Sequence, residues 1–206
     1  MSEKIITLND REQCRQKLPV YFGSNDNYLH AVRECVINAR DILKKQDKGR
    51  IDVHLFDDCR TISIKDNGKG MNVIGETNGV PNWKLLFLTL FSGTKMEAGE
   101  DDGGTNGCGN TIICYTSDYF QANIKKEGHE YQITFENGGN IIEPFHCLGE
   151  TDEQGTTITF RLSDEVYTNT IFNPNDIEFI IEKVCATLYN ICLLYTSDAA
   201  DDMQCV

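Results

Sequence analysis

The sequence predicts an α+β domain, a layer of helices on a mixed, mostly antiparallel sheet, and three observations carry that prediction. One segment near the amino terminus has the apolar spacing of an amphipathic helix; several short runs alternate apolar and polar residues; and these runs come in hairpin-like pairs rather than alternating singly with helices. With 206 residues, 40% of them hydrophobic, the chain can bury one substantial core but hardly two equal ones.

The elements follow in order. From Leu29 to about Lys45, apolar residues fall at Ala31, Val32, Cys35, Val36, Ala39, Ile42 and Leu43, the three-and-four spacing of a helix. Ile51, Val53 and Leu55 alternate with polar neighbours, Asp57 and Asp58 interrupt, and Ile62 and Ile64 resume, which reads as a hairpin. Pro81 suits a first helical turn, and Trp83, Leu86, Phe87, Leu90 and Phe91 extend a helix to Phe91. Ser92 to Gly109 is a glycine-rich stretch of loop character, and loops of that length in compact domains tend to be functional. A short helix is expected from about Thr111 to Thr116. Strands are expected near Tyr119 to Lys126, Tyr131 to Glu136 and Thr156 to Leu162, and a closing helix from Asn173 to Asn190. From Ile191 to Val206 the helical periodicity is lost and the sequence resembles translated adaptor read-through, so residues 1–190 are taken as the domain and 191–206 as a non-native tail.

Charge and cysteine usage narrow the function. A net charge of -13 argues against a surface that grips nucleic acid by itself, because phosphate binding needs clustered Lys and Arg. Nine scattered cysteines with no CxxC pair suit reduced cytosolic thiols better than a disulfide framework or a zinc site. His30, His54, His129 and His146 are equally scattered and read as ordinary surface or core residues. No run approaches the roughly 20 apolar residues of a membrane span, and a soluble, cytoplasmic protein is expected.

Four local patterns carry chemistry. Glu34 and Asn38 stand one helical turn apart, so a carboxylate that can deprotonate water and an amide oxygen suited to Mg²⁺ share a face. Asp66-Asn67-Gly68-Lys69-Gly70 follows a strand whose last apolar residue is Ile64; the carboxylate can accept from an exocyclic amine such as adenine N6, while Gly68 and Gly70 let backbone lie against a flat base. Gly103-Gly104-Thr105-Asn106-Gly107-Cys108-Gly109 leads into a helix, where free N–H groups and the helix dipole suit a triphosphate, and Lys95 can add a positive charge. Its spacing matches neither a Walker A loop nor a dinucleotide fingerprint. Gly155-Thr156-Thr157 opens a strand, and a hydroxyl at Thr156 can support Asp66 through water. Each pattern alone also reads blandly, as a polar stripe, a tight turn, a loop or a strand residue.

Taken in order, these patterns resemble the signature of the GHKL ATPases, which share the Bergerat fold. Arg15 to Gly23 is similar to the arginine-rich stretch ending in Met-Tyr-Ile-Gly of gyrase B and its relatives, and Gly104 to Gly109 to their Gly-Leu-His-Gly-Val-Gly. The resemblance runs from about Leu8 to Asn190. It implies a two-layer Bergerat domain of a type II DNA topoisomerase subunit of the gyrase B or topoisomerase IV B kind, phage-like in its divergence, that binds ATP with Mg²⁺. In that scheme Glu34 is the general base and Asn38 the magnesium ligand. Asp66 reads adenine beside Gly68, Gly70 and Met71, with Thr156 behind it. Lys95, Gly104, Thr105, Asn106, Gly107, Cys108 and Gly109 hold the phosphates. The resemblance further implies ATP-dependent homodimerisation, a gyrase A-like cleavage partner, DNA contacted through other domains, and weak turnover without the transducer domain whose lysine reaches the γ-phosphate. The chain departs from the pattern at Ile42 and Lys69, where the family has a Glu–Arg pair, near Met71-Asn72, where it usually has a proline after the DxGxG segment, and at Asn106, where it often has His. The other readings weighed are a chaperone or mismatch-repair member of the same family, a histidine-kinase catalytic domain, disfavoured by Glu34, and a module that has lost its nucleotide.

Overall fold

The computed structural model describes residues 7–44, 46, 48–92, 108–186, 191–198 and 200–205. Helices α1 (Asp10–Gln16), α2 (Leu18–Phe22) and α3 (Tyr28–Leu43) lead into strands β1 (Gly49–Leu55) and β2 (Thr61–Asp66). A small ribbon, β3 (Glu76–Thr77) and β4 (Val80–Pro81), precedes α4 (Asn82–Leu88) and α5 (Gly109–Thr116). Four strands follow: β5 (Ser117–Lys126), β6 (His129–Glu136), β7 (Asn140–Glu150) and β8 (Gly155–Leu162). Helix α6 (Pro174–Cys185) and strands β9 (Ile191–Ser197) and β10 (Ala200–Cys205) close the chain.

The main sheet has the order β10-β9-β1-β2-β8-β5-β6-β7. All its neighbours are antiparallel except β1 and β9, so the expected mixed, mostly antiparallel sheet under a helical layer is present. Segment 191–197, set apart on sequence, pairs in parallel with the whole of β1, from Gly49↔Ile191 to Leu55↔Ser197.

Period-two alternation explains which face is covered. Ile51, Val53 and Leu55 of β1, Ile62 and Ile64 of β2, Ile158, Phe160 and Leu162 of β8, and Phe120, Ala122 and Ile124 of β5 are all buried. Against them lie Val32, Val36 and Leu43 of α3 and Ile112 and Ile113 of α5. The alternate residues, such as Lys65 and Arg161, are exposed.

Differences from the sequence reading have local causes. Helix α4 ends at Leu88 rather than Phe91, because Thr89 turns extended and Phe91 takes a positive φ of 58°. Helix α6 ends at Cys185, before the expected Asn190. Strand β7 went unpredicted: it is an edge strand exposed along most of its length, so it has no clean alternation, and it tolerates Pro144 as only an edge can. Helix α1 also went unpredicted, although Asn9 and Glu12 form a capping box that marks its start. Arg11 Nε donates to Gly138 O at 2.8 Å and Arg15 Nη1 to Tyr115 O at 3.2 Å, so α1 clamps the β6–β7 turn and the end of α5.

Candidate functional site

The core-facing rows of β2 and β8 end in polar residues. Asp66 continues the row of Ile62 and Ile64, Thr156 begins the row of Ile158 and Phe160, and the register pairs the two directly. A carboxylate that alternation would hand to the core is thus set at the core's margin, only 4% exposed. It is held by the Gly68 N–H, which donates to Oδ1 at 2.8 Å, and by the Thr156 backbone N–H. Burial pushes its pKa up to about 6 against the lowering effect of those two donors. Thr156 Oγ1 accepts the Met71 N–H at 3.2 Å, which draws the segment after the turn across β8.

The turn itself depends on missing side chains. A Cβ at Gly68 would lie 2.2 Å from Ile42 Cγ2 and 2.8 Å from Asp66 Oδ1. The close approach lets Ile42 cover the turn with an apolar surface.

Helix α3 supplies the opposite wall. Cys35, Ala39 and Ile42 join Ile64, Met71 and Ile158 as the apolar lining of a small pocket, whose polar lining is Asn38, Asp66, Asn110 and Thr156. Burial keeps the Cys35 thiol protonated by raising its pKa. The lining sets apolar side chains beside a carboxylate, the chemistry that suits the face and the edge of a flat ring.

One turn before Asn38, Glu34 is buried at 2% exposure beneath the amino-terminal turn of α5. A Cβ at Gly109 would come within 2.9 Å of Glu34 Oε2, so the absence of a side chain lets the helix terminus approach the carboxylate. Its other oxygen, Oε1, lies 3.3 Å from His30 Nε2 and 3.8 Å from Arg33 Nη1. The His30 ring stacks on Phe22 with centroids 4.5 Å apart. His30 was read from sequence as an ordinary residue; its position four before Glu34 was the signal that places it on the same helical face. Asn110 was likewise missed as a site residue.

Cys108 caps α5 and its Sγ accepts the Phe91 N–H at 3.3 Å, which ties residue 91 to the start of that helix. The structure therefore brings together Glu34, Asn38, Asp66, Gly68, Met71, Gly109 and Thr156, with Gly70, at φ 72°, packed on the end of β5 and Cys108 next to Gly109. Lys95, Gly104, Thr105, Asn106 and Gly107 lie outside the described residues.

Among the described residues no cluster of three His, Cys, Asp or Glu side chains could hold a metal. The donor set fits Mg²⁺ in another way, through the single hard oxygen of Asn38 at the pocket wall, since Mg²⁺ commonly takes one or two protein ligands and completes its shell with other oxygens. Among the described residues no helix is long and apolar enough to cross a membrane.

Comparison with known proteins agrees with the fold. The gyrase B ATPase domain of Thermus thermophilus, solved in complex with an aminocoumarin, superposes with a TM-score of 0.82 over 96% of this chain and 51% of that one, at 23% identity. The B subunit of DNA topoisomerase 4 from Staphylococcus aureus strain MW2 is 31% identical over 194 residues, 92% of this chain and 29% of the relative. Its counterpart from Mycoplasma capricolum is 33% identical over 173 residues, 82% of this chain and 27% of the relative. The chain thus spans less than a third of the length of these two relatives. The profile of the histidine kinase-, DNA gyrase B- and HSP90-like ATPases matches residues 23–166, which contain every described residue of the site, and the chain belongs to that family.

Proposed function

We propose that the cavity binds ATP with Mg²⁺ and that the chain is the ATP-operated part of a type II DNA topoisomerase subunit of the gyrase B and topoisomerase IV B kind. The observation that carries this reading is the buried Asp66 at the end of an otherwise apolar row, facing a cavity walled by Ala39, Ile42 and Met71. An ionised carboxylate there accepts a hydrogen bond from the adenine amine and repels a carbonyl oxygen in the same position, which selects adenine over guanine. The triphosphate would extend toward α5, whose first N–H groups are available to it.

Glu34 is the proposed general base. His30 and Arg33 steady Oε1, leaving Oε2 toward Gly109 and the phosphates, where it can take a proton from the attacking water. Mg²⁺, when bound through Asn38 Oδ1, would offset the charge of the phosphates. In the longer parent protein, nucleotide binding would dimerise two copies and gate DNA passage, with DNA and a gyrase A-like cleavage subunit engaged through other domains; the similarity to B subunits of topoisomerase 4 supports that assignment.

Calorimetric titration of a non-hydrolysable ATP analogue with Mg²⁺ into the chain tests the reading, with the GTP analogue as comparator. The chain should bind the ATP analogue and discriminate against the GTP analogue, and Asp66→Asn should weaken ATP-analogue binding by about 2 kcal/mol, roughly 30-fold, the scale of a hydrogen bond to a charged group. Equal affinity for both nucleotides, or an unaffected variant, would refute adenine reading by Asp66. No binding by folded wild-type chain would return the module without nucleotide to first place.

A further inference from the structure

Asn110 is the second residue of α5 and is only 8% exposed. The rest of that helix buries Ile112, Ile113 and Cys114 in the core, but Asn110 turns a polar amide onto the cavity that Asn38 also lines. Asn38 Nδ2 donates to Asn110 Oδ1 at 3.4 Å, which joins α3 to α5 across the wall of the site. A buried amide on an apolar helix is costly without a partner, and this partner has a directional consequence.

A side-chain amide has one end that donates and one that accepts, and only the accepting end can bind a cation. If Asn38 were free to flip, half of its orientations would present N–H groups to the metal. In this structure the Asn110 Oδ1 acceptor takes the Nδ2 end of Asn38, and among the described residues Asn38 Oδ1 accepts no hydrogen bond. This is the relation of an outer residue that orients a metal ligand.

We propose that Asn110 is a positioning residue that holds the Asn38 amide with Oδ1 facing the Mg²⁺ of the bound nucleotide. The inference rests on Asn38 being the metal ligand, and the experiment separates the two claims. A non-hydrolysable ATP analogue is titrated calorimetrically into the full chain in EDTA and across a MgCl₂ series, for wild type, Asn38→Ala, Asn110→Leu and the double variant. Leucine keeps the branched shape of Asn110 and removes its acceptor; Asn110→Ala serves as the second variant if leucine lowers the thermal midpoint. The Asn110 variant should need about 10-fold more Mg²⁺ to reach full affinity, the usual scale for an outer-shell partner. Its affinity in EDTA should equal that of wild type, and its effect should vanish in the Asn38→Ala background. A purely structural role would lower affinity equally with and without metal, and would persist in that background; either result overturns the proposal. Mg²⁺ enhancement that Asn38→Ala abolishes and both Asn110 variants leave intact overturns it too, while leaving Asn38 as the ligand. Wild-type binding that ignores Mg²⁺, or an enhancement that survives Asn38→Ala, removes the ligand itself and the proposal with it.

Discussion

The same face of the same sheet is built in two ways. Over β5 and β6 it is filled: Phe87 of α4 meets Phe120 and Phe135 with ring centroids 5.6 and 6.2 Å away, and those two lie 6.0 Å from each other. Aromatic packing continues to the sheet edge, where Trp83 stacks on Phe145 and Phe145 on Tyr131. Over β2 and β8, the facing helix offers Cys35 and Ala39 instead of rings, the strand rows end in Asp66 and Thr156, and a cavity remains. The contrast teaches that the site is a place where the core was left unfilled: small side chains make room and terminal polar residues line it. One half of the layer is filled with rings, and the other borders the proposed nucleotide site.

Three perturbations break or sharpen this contrast. The largest effect belongs to the filled half, where Phe87→Ala should lower stability by about 3–5 kcal/mol through lost burial and a residual cavity. Urea unfolding measures it, and nucleotide affinity of the still-folded fraction should not change. A small loss would mean that the rings over β5 and β6 are not the stabilising half.

Next comes the buried carboxylate. Because burial raises the Asp66 pKa to about 6, the native state holds its proton more tightly than the unfolded chain between the unfolded value of 3.8 and that figure. Stability contributed by this group is therefore greatest at low pH, falls as pH rises through that window, and is constant above it, by an amount on the order of 3 kcal/mol in full. Asp66→Asn has no such titration. The difference in stability between variant and wild type, from denaturant melts at several pH values, should grow in the variant's favour from pH 4 to pH 7, and a flat difference would show that Asp66 is better solvated than its surroundings suggest. Nucleotide affinity should move the opposite way in wild type, weakening below about pH 6 as the carboxylate gains a proton and ceases to be an acceptor-only group.

The smallest effect on stability is expected where the empty half is filled artificially. Ala39→Leu pushes three extra carbons into the small pocket, so stability to thermal unfolding should fall by about 1–3 kcal/mol, while calorimetric binding of the ATP analogue should disappear. A large loss of stability would show that the space beside Ala39 is already packed.

Much of the fold was legible because its signals are short-range. The spacing along α3, the alternation of β1 and β2, and the turn at Asp66-Asn67-Gly68 each arise among neighbours, so the structure reproduces them within a residue or two. Strand β7 was not, since an edge strand exposed along most of its length is under little pressure to alternate. Within the site, Glu34, Asn38 and Asp66 were each suggested by their immediate surroundings and by family resemblance. The roles of His30 and Asn110 stayed hidden, one because a lone histidine says little, the other because its partner lies on a different helix.

By itself the sequence determined the apolar faces of α3 and of the β1–β2 hairpin, because helical and strand periodicities are properties of a single segment. Only the tertiary structure decided that Thr156 stands beside Asp66, that Gly109 admits Glu34, and that Asn38 meets Asn110. Those pairings depend on strand register and helix docking, which are fixed by the summed burial of the whole core, and no local stretch of chain contains that sum.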